Sequence, residues 1–209
     1  MRTRIKLCGL RTSADIDNAV AAGADAIGFV LYPPSKRFLH ITAAKTLRQQ
    51  VPAFVATVVL MVNPQAQEVA EIIAQLKPDL LQFHGSESAE FCAQFHHPYL
   101  KAHAFSSAGN LLNFAADFTS ASALLLDSPS QGHGGSGKTF PWQQLPPLAN
   151  VPCPVVLSGG LTPQNVSDAI AQIQPYAVDV SSGIESSPGV KSAELMFEFC
   201  RAVQRADAS

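Results

Sequence analysis

The sequence predicts an α/β protein, a single (β/α)8 TIM barrel in which residues 1–209 form one domain. Three observations carry that expectation. Eight short apolar, β-rich runs recur along the chain, with helical patterns between them. Most of the runs are continuously apolar rather than alternating, as strands covered on both faces are. Polar residues with chemical potential collect where the runs end, and in such a barrel the C-terminal strand ends carry the site.

Taken in order, the expected strands are Arg4–Cys8, Asp25–Val30, Val55–Met61, Leu80–Phe83, Tyr99–Ala104, Ala123–Asp127, Pro154–Ser158 and Ala177–Ser181. After the first, Ser13 is placed to cap a helix with Ile16, Ala19 and Val20 inward and Gly23 as its stop. Asn63-Pro64 starts another, with Val69, Ile72, Ile73 and Leu76 on one stripe. The segment after Ala104 carries a fainter helical pattern. Thr162-Pro163 starts a helix with Val166, Ile170 and Ile173, and a last helix from about Lys191 buries Leu195, Met196, Phe199, Cys200 and Val203. Strand–helix alternation implies parallel strands joined by right-handed crossovers. Periodicity does not show closure, so an open doubly wound sheet is the alternative.

Hydrophobic residues make up 47% of the chain and charged ones 14%, with a net charge of −2. That describes a globular chain with no basic footprint for nucleic acid and no cationic run for a membrane surface. The N-terminal MRTRIKLCGL lacks the apolar stretch of a signal peptide, and the longest apolar run, Val51 to Val62, is broken by Pro52 and Thr57. A cytoplasmic protein is expected, with a monomer as the default state. Cys8, Cys92, Cys153 and Cys200 are scattered without a C-x-x-C, which suits free thiols. His96-His97 has no carboxylate or cysteine at ligand spacing, so no metal is expected.

Residues Gly132 to Thr139 read GHGGSGKT and match the phosphate-loop pattern G-x-x-x-x-G-K-[ST]. That pattern works only where the loop leaves a strand directly and its Lys-Thr opens a helix. Here Ser128 to Gln131 intervene, and Pro141 pushes the residue before it away from helical geometry. A glycine loop over another kind of site is the stronger reading.

The strand ends narrow the chemistry. Gly159-Gly160 after the seventh strand and Ser182-Gly183 after the eighth suit a phosphate dianion held by backbone N–H groups, or else only tight turns. A strand-end cysteine is usually a small buried hydrophobe. Cys8, however, is followed by glycine and has Lys6 nearby, and as a thiolate it could act as base or nucleophile. Asp127, five strands on, could be a loop anchor. A thiol and a carboxyl facing each other across a pocket would instead form an acid–base pair. On residues alone the two readings stay level.

Together these segments resemble the phosphoribosylanthranilate isomerase family of tryptophan biosynthesis over nearly the whole chain. The likeness is carried by Lys6-Leu7-Cys8-Gly9, Gly23-Ala24-Asp25-Ala26-Ile27-Gly28-Phe29, Ser35-Lys36-Arg37, Gln82-Phe83-His84-Gly85 and Leu126-Asp127-Ser128. It continues through Gly134 to Phe140, Ser158-Gly159-Gly160-Leu161, Asp179 to Glu185 and Pro188-Gly189-Val190-Lys191. The resemblance implies a TIM barrel and an Amadori rearrangement of a phosphosugar substrate, with no cofactor and no metal. It implies Asp127 as acid and Cys8 as base, Arg37 on the anthranilate carboxylate, and phosphate on the Gly159-Gly160 and Ser182-Gly183 amides. His84 and Asp179 would line the site, and the glycine loop would be a lid after the sixth strand. Arg11, Lys36 and Pro141 depart from the family's usual threonine, proline and acidic residue. The related isomerase of histidine biosynthesis would have a carboxylate ending the first strand. The indole-forming synthase would need lysine and glutamate at strand ends. A non-catalytic phosphate binder would give no reason for Cys8 and Asp127 together.

Overall fold

In the computed structural model, which describes residues 2–128 and 139–208, eight parallel strands close on themselves in chain order. They are β1 (Arg4–Cys8), β2 (Ala26–Val30), β3 (Ala56–Met61), β4 (Leu80–Phe83), β5 (Tyr99–Ala104), β6 (Ala123–Asp127), β7 (Val155–Leu157) and β8 (Ala177–Val180). The β1–β8 pairing, with Lys6 opposite Asp179, shuts the barrel and removes the open-sheet alternative. Asp25 stands just outside β2, where its carboxylate accepts the Ile5 N–H at 2.8 Å. The glycine loop at 132–138 lies outside the described residues.

The helices follow their end signals, with shifts of a residue or two. Helix α1 (Ser13–Ala22) is capped by Thr12 rather than Ser13: the Asp15 N–H donates to the Thr12 hydroxyl and the Thr12 N–H donates to the Asp15 carboxylate. Gly23, at φ +94°, ends it in the left-handed region. Helix α2 (Ile41–Arg48) had no clear sequence signal. Helix α3 (Ala66–Leu76) starts after Gln65, two residues beyond Pro64, and buries Val69, Ile72 and Leu76, with Ile73 half-buried. Helix α4 (Ala89–Ala93) is a single turn, too short to show a period. Helices α5 (Ala108–Asp117) and α6 (Val166–Ile173) complete the middle of the chain.

Helix α7 (Ala193–Asp207) is capped by Ser192, so Lys191 precedes it. Lys191 instead belongs to a hairpin of β9 (Glu185–Ser187) and β10 (Val190–Lys191). Between β6 and β7 the described residues form two short 3-10 turns, at Trp142–Gln144 and Leu148–Asn150. Pro141, Pro146 and Pro147 there supply no N–H for a longer helix. Among the described residues no helix is long and apolar enough to cross a membrane.

The barrel interior is a separate apolar cluster of Val58, Leu100, Ala102, Ala123, Leu125, Val156 and Ala177. A larger cluster fills the space between strands and helices. Side chains alternate along a strand, so the inward set is fixed by parity. Leu125 in the interior cluster sends Asp127 inward two residues later. The same count runs from Lys6 to Cys8 on β1 and from Gln82 to His84 at the end of β4. Polar residues thus cap the apolar plug at the C-terminal strand ends.

Candidate active site

A pocket opens at those ends, and Cys8 and Asp127 both line it. The two groups are therefore brought to one cavity, as the sequence reading required. His84, Asp179, Arg37, Gly159, Gly160 and Ser182 line it as well.

Cys8 lies on the wall with Val30 and Leu60 and is only 3% exposed. One layer deeper, Lys6 Nζ donates to Asp179 Oδ1 at 2.9 Å, and both side chains are buried. Gly28, opposite Cys8 in the β1–β2 register, leaves the gap that makes this possible. A Cβ there would stand 2.7 Å from Cys8 Sγ and 3.2 Å from Lys6 Nζ. Burial pushes the Cys8 thiol up; the Lys6 ammonium pulls it down, the Asp179 carboxylate raises it further, and Lys191 lowers it. The net direction is upward, so the surroundings of Cys8 favour the thiol over the thiolate that the resemblance implies. Burial also works against the Lys6 ammonium, but Asp179 and then Cys8 outweigh it and hold the lysine above its ordinary range.

Across the pocket, Asp127 uses both carboxylate oxygens. Oδ1 accepts the Ser128 N–H at 2.8 Å, and Oδ2 lies 3.2 Å from His84 Nε2. His84 Nδ1 is 3.0 Å from Gln82 Nε2, and Gln82 Oε1 is buried with no hydrogen-bond partner. The loop carrying His84 is fastened from outside the barrel. Lys101 Nζ donates to Gly85 O and to Glu87 Oε2, while Glu87 Oε1 accepts the N–H groups of Asn63 and Gly85.

Arg37 differs from the expectation in one respect. Its Nε and Nη2 already form a parallel pair with Glu185, at 2.6 and 2.8 Å, so the side-on edge, one of the fork's two bidentate edges, is taken. Nη1 takes no part in that pair. Lys191 Nζ donates to the same carboxylate at 2.8 Å and to Ser181 O at 2.8 Å, tying the β9–β10 hairpin to the rim. Gly9, at φ +77°, makes room for the stem of Arg37, since a Cβ would meet its Cδ at 2.8 Å. Two departures from the family pattern touch one another here: Arg11 Nη1 donates to the Lys36 carbonyl at 3.2 Å.

At the other end of the pocket, Gly159 and Gly160 are consecutive left-handed residues, at φ +83° and +67°. A Cβ on Gly159 would collide with the Ser128 N–H and come within 2.9 Å of Asp127 Oδ1. Ser182 begins a short 3-10 turn and lines the pocket. Gly183 is not among the lining residues; its bare Cα lies against the Leu161 carbonyl, where any side chain would clash. Gln82, Glu185 and Lys191 are the groups to which the sequence reading assigned no role. Strand parity, counted back from His84, was the available signal for Gln82. The Arg37–Glu185 pair joins residues 148 positions apart, and the Lys191–Glu185 pair, six apart, is formed by the β9–β10 hairpin that the sequence reading did not contain.

A parallel eight-stranded barrel with a thiol, a carboxyl and two left-handed glycines at its C-terminal mouth has the architecture of a TIM-barrel enzyme. The family model for N-(5'-phosphoribosyl)anthranilate isomerase matches residues 5–202. The chain belongs to that family, the TIM-barrel isomerases of tryptophan biosynthesis. It is 50% identical over 207 residues to the N-(5'-phosphoribosyl)anthranilate isomerase of Leptothrix cholodnii, covering 99% of this chain and 93% of that one. It is 49% identical to the enzyme of Dechloromonas aromatica, with both chains covered in full. Among solved structures, phosphoribosylanthranilate isomerase from Thermotoga maritima superposes with a TM-score of 0.89 at 35% identity, covering 97% of this chain and 99% of the other. Another isomerase, solved with reduced 1-(o-carboxyphenylamino)-1-deoxyribulose 5-phosphate, gives 0.85 at 32% identity, with coverage of 97% and 99%.

Proposed function

We propose that this isomerase converts N-(5-phosphoribosyl)anthranilate to 1-(2-carboxyphenylamino)-1-deoxyribulose 5-phosphate, with Asp127 as general acid and Cys8 as general base. The observation that carries the reading is that Cys8 and Asp127 line one pocket together with Arg37 and Gly159-Gly160. The relative that binds a reduced product analogue supports the choice of substrate.

The reaction begins with protonated Asp127 giving its proton to the furanose ring oxygen. The C1–O bond breaks, and the anilino nitrogen's lone pair forms a C1=N iminium. Cys8 thiolate then removes the C2 proton, and the C2–H electron pair becomes the C1=C2 bond of an enolamine, neutralising the nitrogen. Protonation at C1 and loss of the O2 proton give the ketone. The substrate's own nitrogen is the electron sink, so the scheme calls for no metal or cofactor.

Gln82 serves both protonation states of the acid. With its amide as described, it donates to His84 Nδ1 and His84 Nε2–H holds the Asp127 carboxylate. With the amide turned, Oε1 accepts from Nδ1–H, and Nε2 can accept from a protonated Asp127. Arg37 Nη1 meets the anthranilate carboxylate, and the Gly159, Gly160 and Ser182 backbone meets the phosphate. The test is fluorometric. Purified protein mixed with freshly formed phosphoribosylanthranilate, in the presence of chelator and without nucleotide, should abolish the anthranilate-type emission as product forms. Unchanged emission with bound substrate would leave only a binding protein.

A further inference from the structure

We infer that Lys6 is a positioning residue for the Cys8 base: its ammonium, anchored on Asp179 in the barrel interior, is the counter-ion that a thiolate at Cys8 requires. The inference rests on the proposed role of Cys8 and adds a group outside the acid–base pair. Two observations support it. The Lys6 ammonium has three donors, and Asp179 Oδ1 at 2.9 Å accounts for one of them. Lys6 and Cys8 share one face of β1, and a single point above Gly28 lies 2.7 Å from the sulfur and 3.2 Å from the ammonium, so the two groups border one space.

A Cβ at position 28 would crowd Cys8 Cα at 3.1 Å as well as the sulfur and the ammonium, so Gly28 makes room for the β1 backbone and for both groups. An alanine at position 28 would serve β2 better, since glycine weakens a strand. Here the missing methyl is the space in which sulfur and ammonium meet.

The other charges around Cys8 do not replace Lys6. Asp179, from β8, opposes the thiolate. Lys191, from β10, favours it, but shares its charge with Glu185 at 2.8 Å, and Glu185 is also paired with Arg37. His84 and Asp127 stand on the opposite side and are bound to each other. Lys6 thus pulls on the sulfur more strongly than Lys191 does, and Asp179 keeps it from being fully committed to Cys8. Loss of Asp179 frees the ammonium for the sulfur, and loss of Lys6 as well leaves the sulfur without a counter-ion.

The test reads the sulfur directly, apart from turnover. Thiolate absorbance at 240 nm is titrated in wild type, in Asp179→Asn and in the double variant Asp179→Asn/Lys6→Gln. Each is referenced to the same background carrying Cys8→Ser, and its fold is checked by far-UV circular dichroism. The midpoint in Asp179→Asn should fall below wild type. Adding Lys6→Gln should raise it by at least about one pH unit over Asp179→Asn, the size of effect one adjacent charge produces. The ascending limb of kcat/KM against pH should move with it. Lys6→Arg, which keeps the charge, should titrate near wild type; should the double variant not fold, Lys6→Gln alone is read against wild type. Equal midpoints with and without Lys6 would overturn the inference. A midpoint that moves while the kinetic limb stays fixed would overturn it through its premise, since Cys8 would then not be the base.

Discussion

The two halves of the barrel interior are made by the same strands and obey different rules. Towards the strand N-termini the inward residues are Leu100, Ala123, Leu125, Val156 and Ala177, closed over one another as an apolar plug. Two residues further along, the inward positions become Cys8, His84, Asp127 and Asp179, the last three held by hydrogen bonds or an ion pair. The apolar plug needs only volume and shape, and Lys6 and Gln82 are the buried polar residues that stand between it and the mouth. The upper half needs particular atoms, and it keeps them apart with glycines at 28 and 159 that no side chain could replace without contact. Stability and chemistry are thereby separated along a single axis, so a change in one half should leave the other readable.

The largest effect should come from the upper half. Cys8→Ala and Asp127→Asn should each lower kcat by about 10²–10⁴-fold, the usual worth of a general acid or base. That corresponds to about 3–5 kcal/mol of barrel-mouth chemistry lost, with urea unfolding close to wild type. The complementary change is Leu125→Ala, in a residue with no exposed surface. It should cost about 3 kcal/mol of stability, seen as a lower urea midpoint, while kcat stays near wild type. A collapse of kcat in that variant would break the separation.

Arg37→Ala should act on binding more than turnover, raising KM roughly tenfold, as loss of one charge-assisted hydrogen bond does. Arg37→Lys should not restore it, because a lysine cannot hold Glu185 with two donors and keep a third for substrate. A fall in kcat alone would move Arg37 out of the anthranilate end.

The smallest effect concerns the rim's stability in acid. Burial pushes the Glu185 carboxyl up, but Arg37 and Lys191 outweigh it and leave it below the ordinary glutamate range. A carboxyl with a lowered folded-state pKa stabilises the fold above its unfolded value, about pH 4.3, and that contribution drains away as pH falls through the folded value. Glu185→Gln should therefore flatten the acid limb of stability measured by urea unfolding from pH 6 downward to roughly pH 3. An unchanged acid limb would show that the pair contributes nothing across that range.

Much of the barrel was legible because buried parallel strands write themselves as unbroken apolar runs, and four of the eight observed strands have the bounds those runs suggest. The same continuity hides parity. Leu124, Leu125 and Leu126 look alike in sequence, yet Leu125 alone of the three belongs to the interior cluster. Helix α4 was too short to show a period, and α2 (with His40, an uncommon cap) offered no familiar start. Within the site, Cys8, Asp127, His84 and Asp179 stood out as polar residues at strand ends. Of the partners that set their behaviour, Lys6 stood out beside Cys8, but the links that cross the barrel did not. Glu185 reaches Arg37 across 148 positions, and Lys6 reaches Asp179 across 173. Neither link leaves a local mark, and the upward push on the Cys8 thiol follows from burial that only the closed barrel reveals.

The central claim is spatial, and a complex with a reduced, unreactive product analogue tests it most directly. Cys8 Sγ should lie roughly 3–4 Å from the sugar's C2, within attack range. An Asp127 oxygen should face the sugar oxygen that closes the ring, and the phosphate should rest on Gly159-Gly160. An analogue seated with its phosphate at Arg37, or with C2 turned away from the sulfur, would contradict the account.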